Sequence, residues 1–151
     1  MKKQQLRAQT LVEFALVFPI AIFLILGFFD LGRAVFNFAS LSNSVREATR
    51  YAIVHKEAVN DAAQTAGYLE LKQKVFDYSF GIPPSDITVD VTVTMQSDPT
   101  GNALLRDKIS ITATYIFVPV TPGIKQILGD GNGIPIVAQS TMLLEPISRD
   151  D

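Results

Sequence analysis

The chain contains no cysteine and no tryptophan, and its one histidine is His55. Without cysteine there is no disulfide frame, no thiolate zinc site and no thiol nucleophile, and a lone histidine excludes any site that needs two. Charge is scarce as well. Asp, Glu, Lys and Arg make up 19 % of the 151 residues and the formal net charge is -2. With a pI near 5.3, that balance argues against nucleic acid as a partner. Disorder is excluded by what remains: 48 % hydrophobic residues and a mean hydropathy of +0.25 supply ample material for a core. The absence of cysteine is compatible with every compartment and does not locate the protein.

The apolar residues are unevenly placed. Seven of the ten phenylalanines (Phe14, Phe18, Phe23, Phe28, Phe29, Phe36, Phe38) fall in the first 38 residues, and seven of the eight prolines (Pro83, Pro84, Pro99, Pro119, Pro122, Pro135, Pro146) fall after residue 82. Lys2, Lys3 and Arg7 precede a run, Thr10 to Phe29, whose only ionisable residue is Glu13. Phe14 to Phe29 gives 16 uncharged residues, about 24 Å of helix at 1.5 Å per residue. Counting from Thr10 reaches the roughly 30 Å of a bilayer core. The basic flank places the N-terminus in the cytoplasm and everything after Asp30 outside, with Arg7, Asp30 and Arg33 as boundary residues. A cleaved secretory signal fits less well: Glu13 interrupts the start of the run, and no small-x-small site precedes Asp30 and Arg33. A core helix of a soluble protein fits less still, because little chain remains to cover it on all sides.

The helical pattern continues past the apolar run. Leu31, Ala34, Val35, Phe38, Leu41, Val45, Ala48, Ala52 and Ile53 recur at spacings of three and four, predicting one helix from about residue 8 to 56, apolar all round and then amphipathic. Pro19 lies inside it and is expected to kink or loosen it by leaving the carbonyl of Ala15 without a donor. A weaker helix is expected over Ala62 to Phe80, with Leu69, Val75, Phe76 and Phe80 as its buried residues. The period then changes to two: Ile87, Val89, Val91, Val93 and Met95 alternate with polar residues, as do Ile109, Ile111, Ala113, Tyr115 and Phe117. Ile136 to Leu144 is a third, less regular strand. Asp98 to Asn102 supplies turn chemistry between the first two, and Pro122 to Leu128 is expected to form a helical turn. The fold class is α+β: a long N-terminal helix, membrane-spanning and then amphipathic, packed on a small antiparallel three-stranded sheet. The organisation is a basic cytoplasmic leader over 1–8, a transmembrane segment over 9–30 and an extracytoplasmic domain over 31–151.

Candidate chemistry is sparse. Glu13 stands out, since a charged side chain costs about 2.5 to 3.5 kcal/mol at the bilayer centre on insertion scales. Either it lies near the interface and snorkels, towards Arg7 for instance, or it pairs with a positive group on another protein. His55 at a helix end reads as exposed or capping. Asp130 and Asn132 sit in a glycine loop with no carboxylate following at the spacing a calcium loop requires. Ser42, Ser44 and Ser140 have no base in any motif, and Arg46, Glu47 and Arg50 read as a solvated helix face. No catalytic residue, metal site, cofactor or small-molecule substrate is indicated.

The segment Arg7-Ala8-Gln9-Thr10-Leu11-Val12-Glu13-Phe14 resembles the processing site of type IV prepilins, where a membrane peptidase cuts after a small residue and glutamate becomes fifth in the mature chain. That places the cut between Ala8 and Gln9. More closely, Arg7 to Arg33, with Asn43 to Ala52, resembles the TadE family of pilin-like proteins of tight-adherence (Tad, or Flp) systems. Glu13, Pro19, Asp30, Gly32 and Arg33 fall on that family's pattern, and Ser140-Thr141-Met142 matches loosely. The family has glycine where this chain has Ala8, a residue still small enough for the peptidase; an uncut chain keeps Lys2, Lys3 and Arg7. The resemblance implies a pilin-like fold and a minor pilin or pseudopilin, since major pilins of such systems are far shorter. Its partners would be the membrane, the prepilin peptidase, other pilins and Tad assembly proteins. Glu13, Phe14 and Pro19 would form the assembly segment, with Glu13 and the new amino group of Gln9 on neighbouring subunits setting register. The alternatives are a membrane-anchored accessory factor that stays out of the filament and an anchored extracytoplasmic enzyme or ligand-binding domain. Paired catalytic groups, which would favour the last, are absent from the sequence.

Overall fold

In the computed structural model the described residues are 2–55, 59, 64–94, 108–128 and 131–144, with side chains described for 10–55, 59, 68–94, 108–128 and 131–144. Helix α1 (Lys2–Val54) runs without interruption through Pro19, a length of about 80 Å. It is followed by α2 (Gln64–Tyr78), a 3-10 turn (Pro84–Asp86), β1 (Ile87–Thr94), β2 (Lys108–Phe117), the short α3 (Ile124–Leu128) and β3 (Ile134–Leu143). The strands form one three-stranded antiparallel sheet in the order β1-β2-β3. The expected α+β class, with its long N-terminal apolar helix, is therefore what the chain adopts. The turn expected at Asp98 to Asn102 lies outside the described residues.

The chain divides into two compact units. One comprises Met1–Val35 and Val118–Ile134, the other Phe36–Phe117 and Pro135–Asp151. The second holds the core. Leu41, Val45, Ala48 and Ala52 of α1, Leu71 and Val75 of α2, Ile87 and Val89 of β1, Ile109, Ile111 and Ala113 of β2 and Ala138 of β3 form one buried cluster. The period-two residues of β1 and β2 face it, and the register (Val89 opposite Ala113, Val91 opposite Ile111) stacks them in pairs, which is how a half-buried antiparallel sheet satisfies its apolar face. On the polar face, Gln139 donates to Ser110 Oγ at 2.9 Å, and Ser110 and Thr141 share a hydrogen bond of 3.0 Å.

Three sequence expectations need correction. In α2, Leu69 is 63 % exposed, Phe80 beyond the helix is 78 % exposed, and Leu71 is buried in their place. Leu71 and Val75 are four apart and share a face, whereas Leu69, two residues from Leu71, points to nearly the opposite side. In α1 the buried face takes Leu41, Val45, Ala48 and Ala52 as expected, but Leu31, Val35 and Phe38 are exposed. Asn37, Ser40, Ser44 and Thr49 are buried instead. Ser44 Oγ donates to Leu41 O at 2.8 Å and Thr49 Oγ1 to Val45 O at 2.7 Å, so these hydroxyls enter the interior already satisfied by their own helix. Finally, the long helix reaches back to Lys2 and ends at Val54, against an expected span of about 8 to 56.

The turn after α2 is fixed to α1. Ser40 Oγ donates to the carbonyl of Phe80 at 2.9 Å, the Phe36 and Phe80 rings meet edge to face at 6.4 Å, and Gly81 takes a φ of +79°. A Cβ at Gly81 would lie 3.1 Å from Phe36 Cε1, a contact the half-exposed ring can yield to, so it is the left-handed backbone that favours glycine here.

Candidate functional site

From Thr10 to Phe29, α1 has no buried residue. Leu11, Val12, Phe14, Leu16, Val17, Phe18, Ile20, Phe23, Leu24, Ile25, Phe28 and Phe29 are all exposed. The helix is long and apolar enough to cross a membrane, and an apolar surface this continuous requires a cover other than water. Glu13 lies within it on an exposed position, beside Phe14, whose ring packs against Phe18 at 5.3 Å as an i,i+4 pair. Pro19 does not end the helix. Arg7, Ala8 and Gln9 belong to the first turns of α1, and their side chains lie outside the described set.

Asp30, which ends the uncharged run, is not an open boundary residue. It is 5 % exposed and its carboxylate accepts four hydrogen bonds. Val120 N donates to Oδ1 at 2.9 Å, Thr121 N to Oδ2 at 2.7 Å and Thr121 Oγ1 to Oδ2 at 2.6 Å. Arg33 Nη1 lies 3.3 Å from Oδ1 one turn along the helix. Pro119 and Pro122 flank the two donor residues. Proline has no N–H and a fixed φ, so the pair delimits a short segment whose two consecutive N–H groups aim at one anion, an arrangement suited to binding a carboxylate. Ile124 N donates to Thr121 O at 3.4 Å and Ile127 N to Gly123 O at 3.3 Å, carrying the turn into α3 through Gly123 at φ +83°. Sequence reading placed Asp30 and Arg33 together but missed Val120 and Thr121. The only local signal for them was a threonine bracketed by prolines.

At the far end of α1, His55 stacks on Tyr51 with ring centres 3.9 Å apart, and its N–H donates to Tyr51 O at 2.9 Å. The N–H is the backbone's, and the ring Nδ1 lies 3.2 Å from the same carbonyl, with His55 half-buried at the helix end where an exposed or capping role was expected. The Tyr51 hydroxyl donates to Glu70 Oε1, and Lys74 Nζ sits 4.8 Å from the Tyr51 ring centre, a cation–π contact tying α2 to α1. An open cavity of about 210 Å³ is lined by Glu47, Arg50, Tyr51, Val54, His55, Lys74 and Tyr78. Along its wall Arg50 lies 3.6 Å from Glu47, and no nucleophile sits beside a base among its lining residues. Among the described residues no group of three or more metal-ligating side chains occurs; Asp130 is outside them. The site this chain offers is thus the exposed apolar length of α1, with Glu13 within it and the Asp30 clasp at its end.

Residues 8–50 match the TadE-like protein family, as the resemblance implied. The match takes in Glu13, Pro19, Asp30, Gly32 and Arg33 and stops within α1, before α2 and the sheet. No curated protein and no solved structure matches the chain.

Proposed function

We propose that this chain is a membrane-anchored minor pilin or pseudopilin that takes part in assembling a Tad/Flp-type pilus through its N-terminal helix, with Glu13 setting register. Its place before assembly is the bacterial cytoplasmic membrane: leader 1–8 in the cytoplasm, 9–30 in the bilayer, 31–151 outside, and the pilus or cell surface thereafter. The observation that carries this reading is the exposed face of α1. Phe28, Leu31, Val35 and Phe38 are all exposed and follow one another at spacings of three, four and three. That apolar stripe continues beyond Asp30, where lipid no longer covers it and a neighbouring helix can. A plain anchor has no need of such a continuation. The role is non-covalent packing, not catalysis.

The partners in this reading are the prepilin peptidase, other pilins and Tad assembly proteins. Cleavage between Ala8 and Gln9 removes Lys2, Lys3 and Arg7 and creates an amino group four residues before Glu13, the length of one helical turn. Paired between neighbouring subunits, the amino group and the carboxylate neutralise each other inside an apolar bundle. Intact mass and N-terminal sequencing of the membrane-extracted protein, from cells with an active prepilin peptidase, test this: mature chains begin at Gln9. If every molecule begins at Met1, the processed-pilin reading is wrong. Alanine in place of the family's glycine at position 8 supports a second reading in which the uncut chain remains in the membrane as an accessory factor, binding other secretion-system proteins through an edge of its sheet.

A further inference from the structure

We infer that the segment from Val118 to Leu128 is a second membrane contact, lying in the interface between the headgroups and acyl chains of the bilayer that α1 spans. The inference rests on the membrane-anchored reading of α1 and adds to it a lipid-facing element from the C-terminal half of the chain.

Three observations converge on it. First, the segment belongs to the same compact unit as Met1–Val35 and is clasped to Asp30 through Val120 and Thr121. Asp30 is the residue at which the uncharged run stops, so the clasp fixes the segment at the level where hydrocarbon gives way to headgroups. Second, four of its apolar side chains are turned outward although its backbone is held to Asp30: Val118, Val120, Ile127 and Leu128 are exposed, Ile127 by 80 %, while Ile124 is half-buried. The side chains it buries are those of Pro119 and the polar Thr121. Third, Lys125 is the only charged residue between Val118 and Leu128. An apolar stretch whose own charge is a single cation suits a layer of phosphate-bearing headgroups above acyl chains. A water-facing loop of this composition has no comparable reason to expose two adjacent large aliphatics.

The absence of tryptophan makes the test direct, because a single introduced indole is the sole reporter. Ile127→Trp and Leu24→Trp are prepared separately in the full chain and reconstituted into phosphatidylethanolamine/phosphatidylglycerol vesicles, with bromine placed either near the carbonyl end or near the tail of the acyl chains. Both side chains are exposed in the single chain, so neither substitution perturbs a core. Leu24→Trp reports the anchor and is quenched most by deep bromine. Ile127→Trp is expected to show blue-shifted emission and to be quenched most by shallow bromine. Quenching at Leu24→Trp with water-like, unquenched emission at Ile127→Trp overturns the interfacial contact and leaves the anchor standing. Blue-shifted but unquenched emission at Ile127→Trp also overturns it, since the segment is then covered by protein. Loss of quenching at Leu24→Trp removes the anchor reading and this inference with it.

Discussion

The carboxylate of Asp30 and Thr121 are held together by two hydrogen bonds across 91 positions of sequence, one from the backbone N–H at 2.7 Å and one from the hydroxyl at 2.6 Å. This is a charge-assisted contact made where α1 leaves its uncharged run, and it turns a residue expected merely to mark the membrane boundary into the clasp of a distant loop. Hydrogen bonds to a charged group contribute about 1.5 to 3 kcal/mol each, so the clasp should be graded by the number of donors removed. Thr121→Val deletes the hydroxyl and leaves both N–H donors in place, whereas Asp30→Ala removes the acceptor of the buried Thr121 N–H and of the part-buried Val120 N–H together. Lys125 lies four residues beyond Thr121 and supplies a tryptic site. The rate of cleavage after Lys125 in the full chain is expected to rise modestly in Thr121→Val and much more in Asp30→Ala. Equal, unchanged rates in both would show that the clasp does not order the loop.

The two leucines of α2 give a sharper test of packing. Leu71 is fully buried in the cluster shared with α1 and the sheet, and Leu69 is largely exposed. Leu71→Ala is expected to cost about 2 to 5 kcal/mol through lost burial and the cavity left behind. Leu69→Ala should stay within about 0.5 kcal/mol of the parent. Pulse proteolysis across a urea series, on the full chain in detergent, measures both; a reversed order would mean that α2 presents its other face to the core.

Those two positions also show what one sequence can and cannot carry. The sheet was legible because period two leaves no choice of face: Val89 and Ile111 alternate with Thr88, Asp90, Ser110 and Thr112, and the observed register follows. The existence of α1 was legible too, and so was the apolar segment that holds Glu13. Which face of α1 packs was only half legible, because apolar residues lie on several sides of it and periodicity cannot rank them. Leu31, Val35 and Phe38 fit a core stripe as well as Leu41, Val45 and Ala48 do. Burial of Asn37, Ser40, Ser44 and Thr49 was hidden because polar residues read as solvent-facing, although two of their hydroxyls are satisfied by α1's own carbonyls. The Asp30–Thr121 clasp depends on tertiary placement, and its only sequence mark is a pair of prolines.

Gly81 is expected to resist substitution for a backbone reason. Its φ of +79° costs an L-residue about 1 to 2 kcal/mol, while the approach to Phe36 at 3.1 Å can relax because that ring is half exposed. Gly81→Ala should therefore lose about 1 to 2 kcal/mol in the same urea assay. Gly32 gives the contrast: it lies inside α1 with nothing within 4 Å of an added Cβ, and alanine there gains up to about 1 kcal/mol of helix propensity. Matching losses at both positions would mean that the strain at Gly81 is not what glycine relieves.

Glu13 separates anchoring from assembly. A charged residue costs insertion energy that reaches about 2.5 to 3.5 kcal/mol at the bilayer centre and is smaller near the end of the span where Glu13 lies, so replacing it with alanine makes membrane insertion no harder. If the carboxylate served only the anchor, the variant would behave at least as well as the parent throughout. If it sets register by meeting the amino group of a neighbouring Gln9, insertion and assembly part company. Glu13→Ala is then recovered in the membrane at parental levels and is depleted from sheared filaments. Glu13→Gln isolates the charge from the shape: it keeps the length and an acceptor oxygen but cannot neutralise an ammonium group, and is expected to follow alanine. Co-purification of Glu13→Ala with filaments at the parental level would remove the register role. Rescue by glutamine alone would reassign it from charge pairing to an uncharged hydrogen bond.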